Sequence, residues 1–408
     1  MDDFDTIDII TGGVFQVTWD IGRRCNYDCS YCPPHRHDNF SEHFSLDALI
    51  KTATNLFEYI RLYNKYRGYK KVSICLTGGE PTINPDFIPF IKYLRETYDN
   101  EFKDEFKCGL AVTTNGAMSE KVAQALLKYF NYATISYHSE ADPKLKRKIL
   151  ERIEYMNKNK GQYFDLKVNV MFHALYFDEC KDVCNYLLSK NIDAIPRIIG
   201  EEPNTRSEWA HSYTEEQLQW MKDFWKNDTN IVNKTKRAVR HVKLMAEDEV
   251  KTPEPKKAIC DKDHNKPKEK GSNIGRPCCG LRTLSLSKGE GKNEEKTKTR
   301  FVTNRRFKGW HCGVNWYFVH LEQQIDAVFH HQTCQARFDQ TRGPIGKISE
   351  FDKLIEDLQW KLENQKMETV ICPKWNCGCG ICVPKSKFGE KYFNVIEKHI
   401  DKSVLNKE

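Results

Sequence analysis

The stretch that decides the fold is Phe15–Cys32, FQVTWDIGRRCNYDCSYC. Its first part, Phe15–Ile21, is a short apolar run of the length and composition of a β-strand. Its second part puts Cys25, Cys29 and Cys32 on one short loop directly after that strand, spaced C-x3-C-x2-C, with the aromatic Tyr31 just before the third cysteine. Three thiolates on one loop can bind three irons of a [4Fe–4S] cube and leave the fourth iron open. A structural zinc site normally wants four ligands in two pairs. A ferredoxin-type site would supply a fourth cysteine nearby, whereas the next one here is Cys75.

Outward from this loop the chain alternates short apolar runs with longer amphipathic stretches. Strands are predicted at Phe15–Ile21, Lys71–Thr77, Gly109–Thr114, Tyr132–Tyr137, Leu166–Phe172 and Ala194–Ile199, and helices at Ser45–Tyr66, Asp86–Glu96, Glu120–Tyr129, Pro143–Met156 and Asp178–Leu188. Such alternation implies a parallel sheet with right-handed crossovers, here about six βα units, short of a full eight-unit barrel. Residues 201–300 read as a helix-rich connection, with Thr214–Trp225 its clearest helix, running into a charged linker or surface excursion that carries Cys278 and Cys279. Order resumes at Phe301, with strands expected at Trp316–Leu321 and Ala327–His330 and a helix at Glu350–Asn364. No internal repeat of fixed period is evident.

With its cysteine spacing and its strand–helix order, the chain resembles the radical SAM enzymes, whose signature is C-x3-C-x-aromatic-C after the first strand of a partial (β/α)6 barrel. The resemblance implies that S-adenosylmethionine chelates the open iron through its amino and carboxylate groups. One electron from the cluster then cleaves it to a 5′-deoxyadenosyl radical, the cofactor doing the hard chemistry and the protein positioning it. Further residues fall where the family predicts them. Gly78, Gly79 and Glu80 end the second strand like the family's GGE motif, whose backbone and Glu contact the amino group of SAM, glycine letting backbone approach the ligand. Asn115 and Gly116 end the third strand, Ser136 and His138 the fourth; Asn169 lies on the fifth. Arg197 lies on the sixth, where a cation could meet the SAM carboxylate. All sit near the C-terminal ends of strands, the ligand side of parallel α/β folds.

A second cysteine group comprises Cys312, Cys334, Cys372, Cys377, Cys379 and Cys382. It resembles the C-terminal twitch or SPASM extensions of the same enzymes, which bind auxiliary Fe–S clusters. The terminal spacing C-x4-C-x-C-x2-C departs from the seven-cysteine SPASM pattern, so one auxiliary cluster is expected, not two. Which four cysteines ligate it stays open, and a zinc knuckle is the bland alternative. Cys75, Cys108, Cys180 and Cys184 fall in strand or helix patterns and are expected in the core.

The fold class expected is therefore α/β: a partial (β/α)6 radical SAM barrel over 15–200, the connection over 201–300, a small α+β cysteine-rich extension over 301–385 and a tail over 386–408. Composition agrees with this class. The chain has 408 residues, 39% hydrophobic, 30% charged and 12% aromatic, which excludes a mainly disordered chain. Apolar runs stay short of the about 18 residues a membrane span needs, and the acidic start Met1–Asp5 lacks the core of a secretory signal. Sixteen cysteines without such a signal point to metal binding in a reducing, cytoplasmic compartment. The net charge of +7 permits an acidic partner without demanding a nucleic acid.

The function the resemblance implies is hydrogen abstraction from a peptide or small molecule, assisted by the auxiliary cluster and fed by an electron donor such as a flavodoxin or ferredoxin. Three alternatives stand beside it: a radical SAM enzyme modifying a nucleoside or RNA, a non-catalytic zinc-ribbon protein binding nucleic acid, and an electron-transfer iron–sulfur protein. The Gly78-Gly79-Glu80 motif and the missing fourth cysteine near Cys32 speak against the last two.

Overall fold

The computed structural model describes residues 6–10, 14–67, 71–199, 208–227, 283–287, 309–330, 343–364, 366, 369–372 and 385–386. In chain order the strands are β1 (Thr6–Ile10), β2 (Val14–Asp20), β3 (Lys71–Thr77), β4 (Lys107–Thr114), β5 (Tyr132–His138), β6 (Asp165–Phe172), β7 (Asp193–Ile198), β8 (Thr283–Ser287), β9 (His311–Cys312), β10 (Phe318–Glu322), β11 (Ala327–Phe329), β12 (Val370–Ile371) and β13 (Lys385–Ser386). The helices are α1 (Leu46–Arg67), α2 (Phe87–Thr97), α3 (Glu120–Tyr129), α4 (Pro143–Asn159), α5 (Phe177–Ser189), α6 (Glu215–Asn227) and α7 (Phe351–Glu363).

The main sheet runs β11-β10-β2-β3-β4-β5-β6-β7. Strands β2 to β7 pair in parallel, in the order of the sequence. This is the partial (β/α)6 barrel, and each of its six strands overlaps one read from the sequence.

The strands are two-sided. In β3, Val72, Ile74 and Leu76 are buried while Ser73, Cys75 and Thr77 are only partly so. In β6, Leu166, Val168, Val170 and Phe172 alternate with Asp165, Lys167, Asn169 and Met171 in the same way. A strand turns successive side chains to opposite faces. The apolar face packs under the helices in one continuous core with residues such as Leu49, Phe57, Phe90 and Leu126. The other, polar face lines the inside of the barrel. Cys75 falls on that inner face, its Sγ 3.7 Å from Thr113 Oγ1, and not in the apolar core where the sequence pattern put it; Cys108, Cys180 and Cys184 are buried as expected.

The smaller extension leans on this barrel. β10 pairs in parallel with β2, and β11 returns antiparallel beside it. Tyr63 on α1 donates to the carbonyl of Asn315 (2.8 Å), and Tyr59 meets the Phe351 ring edge-on at the start of α7. A second sheet, β12-β9-β13-β1-β8, joins short segments from both ends of the chain. Its strands, including β8 inside the stretch read as a charged linker, were not legible in the sequence pattern.

Candidate metal centre and cofactor site

The cysteine loop follows β2 and is tied down at its start. Cys25 N donates to Asp38 O (2.7 Å) and Asp38 N to Arg23 O (3.1 Å). Within the loop, Cys32 N donates to Cys29 O (3.1 Å), and Tyr27 N lies 3.4 Å from Cys25 Sγ. Burial pushes the Cys25 thiol up to about 11, and that of Cys29 higher still.

The strand ends around this loop hold it from several sides. After β3, Gly78 and Gly79 lie against the approach to the loop: Gly79 N donates to Gly22 O and Glu80 N to Arg24 O, each at 2.9 Å. Gly78 has φ +131°, and a Cβ on Gly79 would stand 2.1 Å from Arg23 O. The close approach these glycines permit is thus to the chain's own cysteine-bearing segment.

Glu80 is buried, and its carboxylate is bonded within the protein. Oε1 accepts from Thr82 N (3.1 Å), Thr82 Oγ1 (2.5 Å) and Thr114 Oγ1 (2.6 Å), and Oε2 from Asn115 N (2.6 Å). Asn115 continues the chain of contacts: its Nδ2 donates to Asn26 Oδ1 (2.7 Å) and lies 4.0 Å from Cys25 Sγ.

The end of β5 grips the other half of the loop. Tyr31 Oη is hydrogen-bonded to His138 Nδ1 (2.5 Å), and Cys29 Sγ lies 3.6 Å from the same nitrogen. Burial lowers His138 to about 4, so the imidazole is neutral at neutral pH. Two residues on, Glu140 accepts from Ser30 N (2.8 Å) and Ser30 Oγ (2.6 Å), and from His173 Nε2 (3.2 Å). Leu175 N donates to His173 Nδ1 (3.2 Å), which fixes the proton of this buried imidazole on Nε2, facing Glu140.

Of the residues singled out from the sequence, the structure therefore gathers Cys25, Cys29, Cys32, Gly78, Gly79, Glu80, Asn115 and His138. Ser136, Asn169 and Arg197 form a second group on the inner face: Ser136 is opposite Asn169, whose Oδ1 accepts from Arg197 Nε at 3.2 Å. Cys312 and Cys372 are brought to the same short ladder, two register positions apart, where β9 pairs with β12: Val370 is opposite Cys312, and Cys372 N donates to Trp310 O (2.9 Å). Cys334, Cys377, Cys379 and Cys382 lie outside the described residues, as do Cys278 and Cys279. Sequence reading missed Glu140 and His173. Their signal was positional: each lies one or two residues past a strand that ends at the ligand side.

Residues 19–166 match the family model described as the Radical SAM superfamily, and this part of the chain is a radical SAM domain. Curated relatives include a probable GTP 3′,8-cyclase of Methanococcus aeolicus, 31% identical over 103 residues, or 25% of this chain and 30% of that one. The GTP 3′,8-cyclase of Aliarcobacter butzleri is 31% identical over 138 residues, 33% of this chain and 38% of that one. The chain thus spans well under two thirds of the length of these relatives. Among solved structures, Streptococcus suis SuiB aligns over 88% of this chain and 69% of its own at 11% identity, with a TM-score of 0.45. Native anSMEcpe with bound AdoMet and a peptide aligns over 96% and 98% at 12% identity, with a TM-score of 0.44. No helix among the described residues is long and apolar enough to cross a membrane.

Proposed function

We propose that this chain is an enzyme that holds a [4Fe–4S] cluster on Cys25, Cys29 and Cys32, binds S-adenosylmethionine at the open iron, and abstracts hydrogen from a peptide or small molecule. The observation that carries this reading is the three-thiol loop, gripped by the ends of β3, β4 and β5 within the stretch that matches the superfamily. The donor set suits the group. Thiols whose burial keeps them protonated are poor free nucleophiles, and a coordinating metal removes that proton outright. When bound, the cluster supplies the electron that cleaves SAM reductively.

The chain's own residues position. Gly78 to Glu80 and Asn115 set the height of the loop over the sheet. The Arg197 guanidinium is held by Asn169 where it would meet a carboxylate, with Ser136 opposite Asn169. His138 remains neutral and holds Tyr31 in place. In this reading residues 15–200 are the catalytic core, 201–300 the connection, 301–385 the extension and 386–408 the tail. Cys312, Cys372 and cysteines of the terminal group would carry one auxiliary cluster, and a flavodoxin or ferredoxin would donate the electron.

A nucleoside-type substrate is the second reading, favoured by the relatives named as GTP 3′,8-cyclases. Anaerobically reconstituted protein, given SAM and dithionite, is expected to release 5′-deoxyadenosine. Protein that takes up zinc and no iron, or iron-loaded protein that leaves SAM intact, would overturn the proposal.

A further inference from the structure

Asp20 and Glu322 end the adjacent parallel strands β2 and β10, and the register sets them side by side, with Thr18 beside His320. Residues two apart on a strand share a face, so His320, Glu322 and Asp20 project to one side of the sheet. His320 Nε2 lies 2.9 Å from Glu322 Oε1 and 3.6 Å from Asp20 Oδ2. The three ligand atoms all fall within 4.8 Å of one another, the one such group among the described residues.

Several features go beyond an ordinary ion pair. His320 is fully buried at 0% exposure, and its Nδ1 has no hydrogen-bond partner among the described residues. Among the described residues the ring thus has no side-chain hydrogen bond outside the trio, and Nε2 is aimed between two carboxylates. One imidazole nitrogen and two carboxylate oxygens brought together in this way are a donor set that a divalent cation takes.

The spacing suits a single ion. Bonds of about 2.0–2.2 Å place neighbouring ligand atoms roughly 3–3.6 Å apart around one metal, against 2.9 and 3.6 Å here. The ligands are also preorganised. Trp19 Nε1 donates to Gln323 Oε1 (3.1 Å) and Gln323 Nε2 to Thr52 Oγ1 (3.3 Å) in the buried layer, locking the residue that follows Glu322. The carboxylates keep side-chain exposures of 20% and 18%, which leaves one side open to water or a ligand oxygen.

We propose that Asp20, His320 and Glu322 form a divalent-cation site on the inner wall of the barrel. One imidazole nitrogen and two carboxylate oxygens suit manganese, ferrous iron or zinc, with the remaining positions open. The site uses none of the cysteines and stands whether or not they hold a cluster.

Manganese is the probe, because thiolates favour softer ions. The full chain, stripped with chelator and dialysed, is titrated with Mn²⁺ while free aqueous Mn²⁺ is read by EPR. One equivalent is expected to bind, with ¹⁴N modulation from an imidazole in the spin-echo spectrum and a rise in melting temperature. Asp20→Asn and Glu322→Gln, which keep shape, are expected to weaken binding at least tenfold, and His320→Gln to erase the ¹⁴N signal. Cys25→Ala is expected to leave all three readings unchanged. Wild-type protein that binds no Mn²⁺, or binds it without ¹⁴N coupling, would overturn the site irrespective of how the variants fold. So would folded Asp20 and Glu322 variants that bind like wild type. Iron content, measured separately, reports on the cluster.

Discussion

The two cysteine regions are built in opposite ways. Cys25, Cys29 and Cys32 share one loop, and the rest of the barrel comes to them: bonds arrive from Glu80's neighbourhood, from Asn115, from His138 and from Glu140. Cys312 and Cys372 are distant in sequence and come to one ladder because short strands pair, with Gly309 N on Cys372 O at 2.8 Å. A local loop has its geometry written in its spacing. A site assembled from distant segments has its geometry written in the pairing of strands only two residues long. The first should therefore lose its contents through one thiol, and the second through its own thiols without disturbing the first.

Iron content offers the largest test of that contrast. Two cubes would give about eight irons per chain after anaerobic reconstitution. Cys29→Ala is expected to bring this to about four and to abolish 5′-deoxyadenosine release. Cys312→Ala with Cys334→Ala is expected to give about four as well, with the first cluster's SAM cleavage retained. Full iron in the double variant would make the C-terminal thiols structural or zinc-binding.

Glu80 sharpens the comparison, because its carboxylate knits β3 to β4 beneath the loop. Glu80→Ala leaves the buried N–H groups of Thr82 and Asn115 without their acceptor. At about 1–3 kcal/mol for each unsatisfied donor, a loss of roughly 2–6 kcal/mol is expected in chemical unfolding. SAM affinity falls with it if the loop shifts. A variant with unchanged stability and weakened SAM binding would show that the carboxylate serves the ligand alone.

How much of this was legible in the sequence follows from the same distinction. The six barrel strands were, because a strand buried under helices must repeat apolar residues at every second position, as Val72, Ile74 and Leu76 do. The cysteine loop was, because its three cysteines fall within eight residues of one loop. Cys75 was misread as core because a thiol in a strand pattern carries no mark of which face it takes. β9, β12 and β13 were invisible because two residues hold no periodicity. Glu140 and His173 were invisible because a lone polar residue after a strand is ordinary until the fold shows what it faces. His320 shows the same limit, since its carboxylate neighbour Asp20 is 300 residues away on the adjoining strand.

His138 gives the comparison a pH dependence. Burial lowers it from an ordinary 6.5 to about 4. Between those values the unfolded chain binds a proton that the folded chain does not, so stability rises with pH. The contribution is fully present above pH 6.5 and is lost as pH falls toward about 4. At about 1.36 kcal/mol per unit, the loss is on the order of 3 kcal/mol. His138→Asn should flatten this part of the stability–pH curve, measured by denaturant unfolding. An NMR titration of His138 with a midpoint near 6.5 would show that the ring is solvated and the grip on Tyr31 weak.

The finest test asks whether the loop is held as a unit. Glu140 takes two bonds from Ser30, between the second and third cysteines, and a third from His173. Hydrogen bonds to a charged acceptor contribute about 1.5–3 kcal/mol, and Glu140 keeps a side-chain exposure of 21%, which places it at the low end. Glu140→Gln and Ser30→Ala are each expected to destabilise by about 1–2 kcal/mol, and together by less than the sum, because both act on the same Ser30–Glu140 contact. Hydrogen exchange distinguishes holding the loop from general packing. In Glu140→Gln the amide of Ser30 should exchange faster while amides of β9 and β12 keep wild-type rates. Faster exchange in both regions would mean that Glu140 supports the whole barrel. Unchanged exchange at Ser30 would mean that the strand-end grip from His138 holds the loop without it.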